Sequence, residues 1–292
     1  MAICEGRSVI ITGAGGGLGR AHALALAAEG AAVLVNDINR EAAETVAGEI
    51  DAAGGRAIAN SDDITTTSGA EAIVNAAAEA FGDVHAVVNN AGVLRDKMFA
   101  SMSEEDWDIV VKVHLKGHFC ISNVLVKRWR AQVKERGEKV DARIINTTSG
   151  AGLQGSVGQS NYGAAKGGIA TLTLIQAAEL GRYGITSNAL APAARTGMTE
   201  DVFADVMKKP EDGFDHFAPE NVSPIVVWLC SPQSAAVSGR VFEADGGRIS
   251  VADGWRTGEV NDKGTRWAPA EIGRAVEALI AKAPAPQKVY GT

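Results

Sequence analysis

The stretch Ser8-Val-Ile-Ile-Thr-Gly-Ala-Gly-Gly-Gly-Leu-Gly19 joins a short β-branched run to a cluster of glycines. The apolar run is typical of a buried strand, and the Ala-rich sequence after Gly19 predicts a helix. Glycines let the backbone turn tightly and approach a phosphate, whose charge is stabilised by the amide groups at a helix N-terminus. Glycine clusters also occur in structural turns, but this one follows a strand and precedes a helix. We therefore predict that Gly13, Gly17, Leu18 and Gly19 bind the pyrophosphate of a dinucleotide.

The rest of the chain repeats this alternation of short β-branched runs and long Ala-rich stretches, which indicates parallel strands joined by helices. Right-handed crossovers then favour an α/β fold, a three-layer, doubly wound (Rossmann-like) parallel sheet of seven strands. The strands are expected near Ser8–Thr12, Ala32–Asn36, Ala57–Asn60, Ala86–Asn89, Ile144–Thr148, Thr186–Leu190 and Arg240–Glu243. The helices are expected near Leu18–Glu29, Arg40–Ala53, Gly69–Phe81, Glu104–Lys134, Tyr162–Tyr183 and Pro219–Leu229.

Composition and charge argue against several classes of function. The chain has 292 residues, a formal charge of −7 and no basic stripe, so we expect no nucleic-acid partner. Its longest apolar runs are of strand length, below the ~20 residues that span a bilayer, and the N-terminus has no signal-peptide apolar region. Cys4, Cys120 and Cys230 are too scattered for a disulfide framework or a metal site. We expect buried thiols, no bound metal, no membrane span and a cytoplasmic location.

The carboxylate of Asp37 ends the second predicted strand, roughly 20 residues past Gly19, where such folds bind the adenosine ribose. A carboxylate there would repel a 2′-phosphate, so the predicted cofactor is NAD rather than NADP. Arg20 and Arg40 are the nearby cations that would argue for NADP, but we expect them on the first helix surface and at the start of the second helix. Helix capping or turn formation is the structural alternative for Asp37.

Two further turns follow predicted strands and fall at the same edge of the sheet. Asp63 and Ile64 follow the third strand and could bracket an adenine, with Asp62 as an equally charged rival. Asn90 and Gly92 follow the fourth strand, where an amide can bond neighbouring backbone and a glycine permits close approach of a cofactor. The tetrapeptide Asn89-Asn-Ala-Gly92 would be unremarkable as a plain turn. It is informative because it comes after the glycine loop and the fourth strand, in the order expected of a cofactor site.

Tyr162 and Lys166 lie four residues apart in a predicted helix, on one face, and Ser149 precedes them. Free tyrosine has a pKa near ~10, and a neighbouring cation shifts it toward the range where acid–base catalysis is efficient. Such pairs also occur by chance in helices. The glycine loop and the serine together indicate an enzyme that moves a hydride and a proton.

Two segments stand outside the alternation. Residues 194–217 follow a strand's C-terminal end and mix glycine, proline, charge and aromatics, which favours a substrate lid over a plain surface loop. Residues 254–292 contain Trp255, Trp267 and a helix near Pro269–Ala281. We expect a catalytic domain over residues 1–253, followed by an extension that packs on this domain or on a neighbouring subunit.

The order of these motifs resembles that of the short-chain dehydrogenase/reductase family over residues 5–250. The motifs are Thr12-Gly-Ala-Gly-Gly-Gly-Leu-Gly19, Asn89-Asn-Ala-Gly92, Ser149 and Tyr162-Gly-Ala-Ala-Lys166. The resemblance implies that Tyr162 is the general acid/base and that Ser149 orients the substrate oxygen. It also implies that Lys166 lowers the pKa of the phenol and holds the nicotinamide ribose.

The resemblance extends to three positions where the chain keeps or changes the family pattern. Pro192-Ala193 replaces a Pro-Gly segment, and Thr196 matches a threonine near the nicotinamide carboxamide. His114 stands where the family has an asparagine that supports a proton-relay water. Imidazole can join a relay, and a purely structural histidine is the alternative.

A narrower resemblance is to the (3R)-hydroxyacyl-CoA dehydrogenase domains of type 2 peroxisomal multifunctional enzymes. The segments that carry it include Leu94-Arg-Asp-Lys-Met-Phe, Val113-His-Leu-Lys-Gly and Gly158-Gln-Ser-Asn-Tyr162. It implies NAD-dependent oxidation of a (3R)-3-hydroxyacyl-CoA, including bulky or steroid-bearing acyl groups. We expect a free-standing version of that domain, and the family resemblance implies a homodimer or homotetramer. The alternatives are a dehydrogenase of steroids or other secondary alcohols, a 3-oxoacyl carrier protein reductase, and a non-catalytic cofactor-binding protein.

Overall fold

The computed structural model describes residues 2–196, 207–252 and 254–290, which form a three-layer α/β fold around one sheet. Seven parallel strands lie in the order β3-β2-β1-β4-β5-β6-β7, and β8 pairs antiparallel with β7 at the edge. The strands are β1 Ser8–Thr12, β2 Ala32–Asn36, β3 Arg56–Asn60, β4 Ala86–Asn89, β5 Ala142–Thr147, β6 Ile185–Ala193, β7 Val241–Asp245 and β8 Arg248–Ala252. The doubly wound parallel architecture predicted from the sequence is confirmed.

The predicted count of seven strands was wrong, because the described residues form eight. The missed strand, β8, follows β7 after the two glycines Gly246-Gly247, and Gly246 has a φ of 57°. A two-residue glycine turn joins antiparallel strands, whereas the sequence argument considered only parallel strands with helical crossovers.

The α-helices are α1 Gly17–Ala28, α2 Arg40–Ala52, α3 Thr67–Phe81, α4 Glu104–Val111, α5 Gly117–Arg136, α6 Gly150–Gln154, α7 Ser160–Leu180, α8 Ser223–Cys230 and α9 Pro269–Ile280. Six helices match predicted segments with differences at their ends, one predicted segment is divided into α4 and α5, and α6 was not predicted. Asn39 and Thr66 cap α2 and α3 through their side chains, which explains where these two helices begin.

The sheet is buried on both faces, as a parallel sheet with helices on each side requires. Alternate residues of a strand point to opposite faces, so Val9 and Ile11 join one core cluster with α1, α2 and α8. Ile10 and Leu34 join the second cluster, with α3 and α5. The three cysteines are buried and free, as expected.

The segment predicted as one helix over Glu104–Lys134 is divided by a π-helical turn, Lys112–Lys116, between α4 and α5. By length and composition, Glu104–Arg136 is apolar enough to cross a membrane. About 44% of its most apolar window is buried inside the fold, where core helices of soluble domains pass the same test. The helix therefore gives weak evidence for a membrane span.

Tryptophans in two parts of the chain have opposite environments. Trp129, on α5, is buried in the core and donates its indole N–H to the Val84 carbonyl over 2.7 Å. A tryptophan buried in this way has almost no surface for contact with another subunit. Trp255, in the C-terminal extension, is fully exposed.

Parallel strands bring their carboxyl ends to one edge of the sheet, and the predicted site residues lie along that edge. Thr12 pairs with Asn36, and Asn89 pairs with Asn146, so the residues after each strand are neighbours. The strand order changes direction between β1 and β4, which is where open α/β sheets bind ligands.

Candidate active site

The glycine loop between β1 and α1 leaves its backbone accessible. Gly13 and Gly17 have φ values of 62° and 50°, which favour glycine. A Cβ on Gly13 would lie 2.7 Å from the Ala91 Cα, whereas a Cβ on Gly16 would meet nothing within 4 Å. Gly16 caps α1 without a side-chain hydrogen bond, so the cap residue itself leaves the amide groups of the first turn available. This geometry fits a bound pyrophosphate.

Asn90 joins the loop after β4 to the glycine loop. Its Nδ2 donates to the carbonyl oxygens of Thr12 and Gly13, each over 3.1 Å, and its amide donates to the Thr12 Oγ1 over 3.0 Å. A Cβ on Gly19 would lie 2.7 Å from the same Nδ2, so Gly19 is required for this close packing. Leu18 is partly buried and packs against the core. Asn90, Gly19 and Leu18 therefore hold the shape of the loop.

Asp37 lies over the glycine loop at the end of β2. One carboxylate oxygen accepts the Gly15 amide over 3.0 Å, and the other accepts the Asn39 amide over 2.9 Å. The turn-forming role is thus present, and each oxygen keeps a further lone pair for a ligand. Arg20 and Arg40 form ion pairs with Glu49 and Glu44.

The predicted adenine-binding pair lies in the turn after β3. Asp63 accepts the Thr65 amide over 2.8 Å and the Thr65 hydroxyl over 2.9 Å, while its rival Asp62 accepts from Asn60. The Ile64 side chain is buried against Gly117, so an adenine there could contact only its backbone. The assignment of Asp63 and Ile64 stays a prediction.

Ser149 and Tyr162 meet because α6 packs directly on α7. Ser149 caps α6, and its hydroxyl accepts the Ala151 amide over 3.2 Å. A Cβ on Gly152 would lie 2.6 Å from the Lys166 Cβ, so only a glycine allows the two helices this close. Burial raises the pKa of the Tyr162 phenol, and the neighbouring Ser149 hydroxyl opposes this by lowering the pKa as a hydrogen-bond partner.

Lys166 is buried beneath the phenol. Its Nζ lies 5.6 Å from the Tyr162 ring centroid and donates to the Thr147 carbonyl over 2.6 Å. Burial lowers the pKa of Lys166 to about 7. We had expected Lys166 to lower the pKa of Tyr162, but in the protein alone burial moves the pKa of the phenol upward.

His114 lies in the π-helical turn, and its ring meets the Tyr162 ring edge-on with centroids 5.2 Å apart. Its Nε2 is 2.8 Å from the Val93 carbonyl oxygen and 3.0 Å from the Val93 amide, so this backbone holds the ring in either tautomer. Burial, followed by the charge of Lys166, lowers the pKa of His114 to about 3. The imidazole is therefore neutral at working pH.

Gly92 fits against the His114 ring. A Cβ on Gly92 would lie 3.0 Å from the Nδ1 and 3.1 Å from the Nε2 of His114, and closer still to the Cε1. The sequence argument assigned this glycine to approach of the cofactor, but the direction of its missing side chain is toward the histidine. The buried Nδ1 has no hydrogen-bond partner among the residues that the structure describes.

Two further polar residues surround the site, and the sequence argument missed both. His118 lies one turn after His114, is buried, and accepts the Thr147 amide over 3.4 Å. Asn161 is buried, and its Nδ2 donates to the carbonyls of Arg95 and Asp106, each over 3.0 Å. The sequence feature that could have identified them is a polar residue on the buried face of a predicted helix, next to residues already assigned to the site.

Thr196 lies beside the glycine loop, because a Cβ on Gly17 would be 3.4 Å from its side chain. Residues 197–206 of the predicted lid lie outside the described residues. The two described ends of this segment are joined by the ion pair of Arg195 with Asp215. The Arg195 amide also donates to the Phe217 carbonyl over 2.8 Å.

The chain is similar to known proteins of one enzyme family. Residues 7–206 match the short chain dehydrogenase family. ChsB1, a hydroxyacyl-CoA dehydrogenase of Mycobacterium tuberculosis, is 42% identical over 275 residues, which cover 92% of this chain and 86% of that protein. A short chain dehydrogenase from Mycobacterium avium has a crystal structure with a TM-score of 0.91 and 54% identity, covering 99% of this chain and 100% of that one.

A second relative is much longer than this chain. The peroxisomal multifunctional enzyme type 2 of Mus musculus is 42% identical over 254 residues. The aligned part covers 84% of this chain but 32% of that enzyme, so this chain corresponds to about a third of it.

Proposed function

The chain belongs to the short-chain dehydrogenase family, and from this we propose that it oxidises (3R)-3-hydroxyacyl-CoA thioesters to 3-oxoacyl-CoA. The observation that carries the proposal is the meeting of the Ser149 hydroxyl with the Tyr162 phenol above the buried Lys166. The relatives named as a hydroxyacyl-CoA dehydrogenase and a peroxisomal multifunctional enzyme support the substrate class.

The residues at the glycine loop fit a nicotinamide dinucleotide, which supplies the hydride acceptor when bound. The open backbone at Gly16 and the uncapped start of α1 would hold its pyrophosphate. The Asp37 carboxylate would accept hydrogen bonds from the ribose hydroxyls and would repel a 2′-phosphate. Arg20 and Arg40 are engaged by glutamates, which also supports NAD over NADP. Asn90, Gly92 and Thr196 are the remaining proposed cofactor contacts, since Asn90 bonds to the glycine loop and Thr196 lies beside it.

Proton transfer falls to the residues around Tyr162. The phenolate accepts the proton of the substrate hydroxyl, and the Ser149 hydroxyl bonds to the same substrate oxygen and orients it. Lys166, when ionised, favours the phenolate and positions the ribose. A neutral imidazole can accept a proton on one nitrogen and donate from the other, so His114 is suited to carry the proton away. Its unpartnered Nδ1 is the place for a bridging water.

A single comparison tests the proposed chemistry. Purified protein is assayed with NAD and with NADP against 3-hydroxyacyl-CoAs and a steroid alcohol, and with NADH and with NADPH against 3-oxoacyl carrier protein. We expect NAD-dependent oxidation of the acyl-CoAs. A preference for NADP would refute the role of Asp37, and turnover of the carrier-protein substrate alone would refute the substrate class.

The variant Tyr162→Phe removes the proposed proton acceptor and keeps the ring. Its kcat/KM should fall by ~10²–10⁴-fold, the usual share of acid–base catalysis, with NADH affinity nearly unchanged. The matched control is Tyr183→Phe, because Tyr183 lies under Arg130 and Arg182, away from the site. Retention of more than about a tenth of wild-type activity in Tyr162→Phe would show that another group carries the proton.

The assembly and location are part of the same proposal. Phe119 on α5, with Leu174 and Ile175 on α7, are exposed apolar side chains on neighbouring helices, which supports a homodimer or homotetramer that covers them. Light scattering after size-exclusion chromatography tests this, and a monomer at micromolar concentration would refute it. The buried, unpaired thiols support a reducing cytoplasmic location.

A further inference from the structure

The end of the C-terminal extension lies against the loop between α6 and α7. The Val157 amide donates to the Tyr290 carbonyl over 3.1 Å, and the Tyr290 amide donates to the Gly155 carbonyl over 3.2 Å. Ser156 and Tyr290 thereby form an isolated parallel β-bridge. Most of the extension before it is exposed, so this contact attaches the end of the described chain to the catalytic domain.

The Tyr290 ring covers the residue that follows Ser149. A Cβ on Gly150 would lie 2.5 Å from the Tyr290 Oη and 2.6 Å from its Cε2, so the ring rests directly on the Gly150 backbone. A Cβ on Gly155 would lie 2.9 Å from the Val289 Cγ1. These two glycines leave space for Tyr290 and Val289 along the loop that leads away from Ser149.

The Tyr290 phenol is influenced by two carboxylates of β7. The pKa of its phenol is raised by burial and by the charges of Glu243 and Asp245 at the end of that strand. The contact of its ring with Gly150, at the start of α6 just after β5, places the side chain at the carboxyl edge of the sheet. This is the edge where parallel α/β folds bind their ligands.

We propose that Tyr290 is a specificity-determining residue that, with Val289, forms one wall of the acyl-chain site beside Ser149. The inference rests on the proposed function, because it assumes that the Ser149 hydroxyl binds the carbinol oxygen. The next atoms of the acyl chain then pass Gly150 and run along the tail. An aromatic ring and a branched side chain offer apolar contact, which suits the acyl chain and not the charged phosphates of CoA.

The test compares kcat/KM for 3-hydroxybutyryl-CoA and a 3-hydroxyhexadecanoyl-CoA in three tail variants. For Tyr290→Ala, and for a chain ending at Pro286, kcat/KM for the long substrate should fall about tenfold, because apolar contacts with the acyl chain are lost. The kcat/KM for the short substrate should change by less than about twofold. Tyr290→Phe should resemble the wild type, because the ring and not the hydroxyl forms the wall. The control Ile280→Ala alters an exposed part of the extension and should change neither substrate.

The contact itself is tested by a double-mutant cycle. Gly150→Ala places a methyl group against the Tyr290 ring and should lower long-chain kcat/KM about tenfold, the cost of an overpacked contact. In the Tyr290→Ala background the same change should have a much smaller effect, since the ring is gone. Equal effects in the two backgrounds would show that Gly150 acts on Ser149 alone, and would overturn the inference.

Hydrogen exchange gives a readout that needs no substrate. The Val157 amide bonds to the tail, so its exchange should accelerate in the chain ending at Pro286 and stay slow in Ile280→Ala. Unchanged exchange would refute the placement of the tail. A wild-type enzyme inactive on every acyl-CoA would refute the proposed function and this inference with it. An active wild type whose tail variants keep the wild-type ratio of long- to short-chain activity would refute this inference alone.

Discussion

Replacing Gly92 with alanine should test the link between the loop after β4 and the catalytic tyrosine. The added methyl group would lie about 3 Å from both ring nitrogens of His114, and closer to the Cε1. The ring cannot move freely, because Val93 holds the Nε2 and the Tyr162 ring lies against it. The methyl group must therefore strain the backbone or displace the imidazole.

The expected cost follows from these contacts. Overpacking of a close-packed site costs ~1–3 kcal/mol, and loss of the hydrogen bond of His114 to Val93 adds about 1 kcal/mol. A loss of ~2–4 kcal/mol in the free energy of unfolding corresponds to a fall in Tm of roughly 4–16 °C for a domain of this size. A shift of Tyr162 by about 1 Å should also lower kcat/KM by up to ~10²-fold.

Urea unfolding and steady-state kinetics at fixed protein concentration measure both effects. Gly48→Ala is the matched control, because Gly48 is exposed within α2 and its Cβ would meet nothing within 4 Å. This control should gain ~0.5–1 kcal/mol of stability, since alanine is the better helix residue.

The double variant Gly92→Ala/His114→Ala separates the two explanations of this glycine. With the imidazole removed, Gly92→Ala should cost at least ~1 kcal/mol less than in the wild type. Equal costs in both backgrounds would refute the packing argument. A loss of NADH affinity that persists without the imidazole would restore the original interpretation, in which Gly92 permits approach of the cofactor.

Three further predictions concern positioning, pH and the core. Asn161→Ala should lower stability by ~2–4 kcal/mol, because two backbone carbonyls lose their buried donor. Since the Asn161 Oδ1 also accepts the Tyr162 amide over 2.7 Å, the variant should lower kcat more than it raises the KM for NAD, and an unchanged kcat would contradict a role in placing Tyr162. Burial lowers the pKa of Lys166 from 10.5 to about 7, so the protein takes up a proton on unfolding at any pH between these two values. The destabilising effect of the buried lysine is therefore complete below about pH 7 and disappears as the pH rises to about 10. Lys166→Met should flatten this dependence in urea unfolding curves from pH 6.5 to 9.5, and an unaltered slope would count against a neutral lysine. Trp129→Ala should cost ~3–5 kcal/mol, whereas the fully exposed Trp255→Ala should leave the stability of a subunit within about 0.5 kcal/mol, as compared by chemical unfolding.

Local sequence patterns predicted the parallel strands because the apolar pattern of each segment reflects how that segment is buried. The bounds of β1, β2 and β4 agree with the expected ones residue for residue, since β-branched runs ended by glycine or asparagine leave few alternatives. The patterns failed at β8, an exposed edge strand whose apolar residues do not face a core. They also failed at the π-helical turn, since one extra residue in a helical turn leaves almost no trace in apolar periodicity.

The electrostatic state of the site was equally beyond the sequence. Tyr162 and Lys166 were placed on one helix face by their spacing, but the burial that sets their pKa values depends on α6, β5 and the π-helical turn. The contacts of Asn161 with two backbone carbonyls, and of Tyr290 with Gly150, join positions that are distant in the chain.

The sequence by itself determined the doubly wound sheet, the glycine loop, the family and the residue types that the chemistry needs. Those features are local, because a strand, a turn or a helix face is specified by neighbours within a few residues. Only the tertiary structure decided that the missing side chain of Gly92 makes room for His114, that burial opposes ionisation of both Tyr162 and Lys166, and that the tail reaches the loop after Ser149. Desolvation and close packing depend on every segment that surrounds an atom, and those segments come together only in the folded chain.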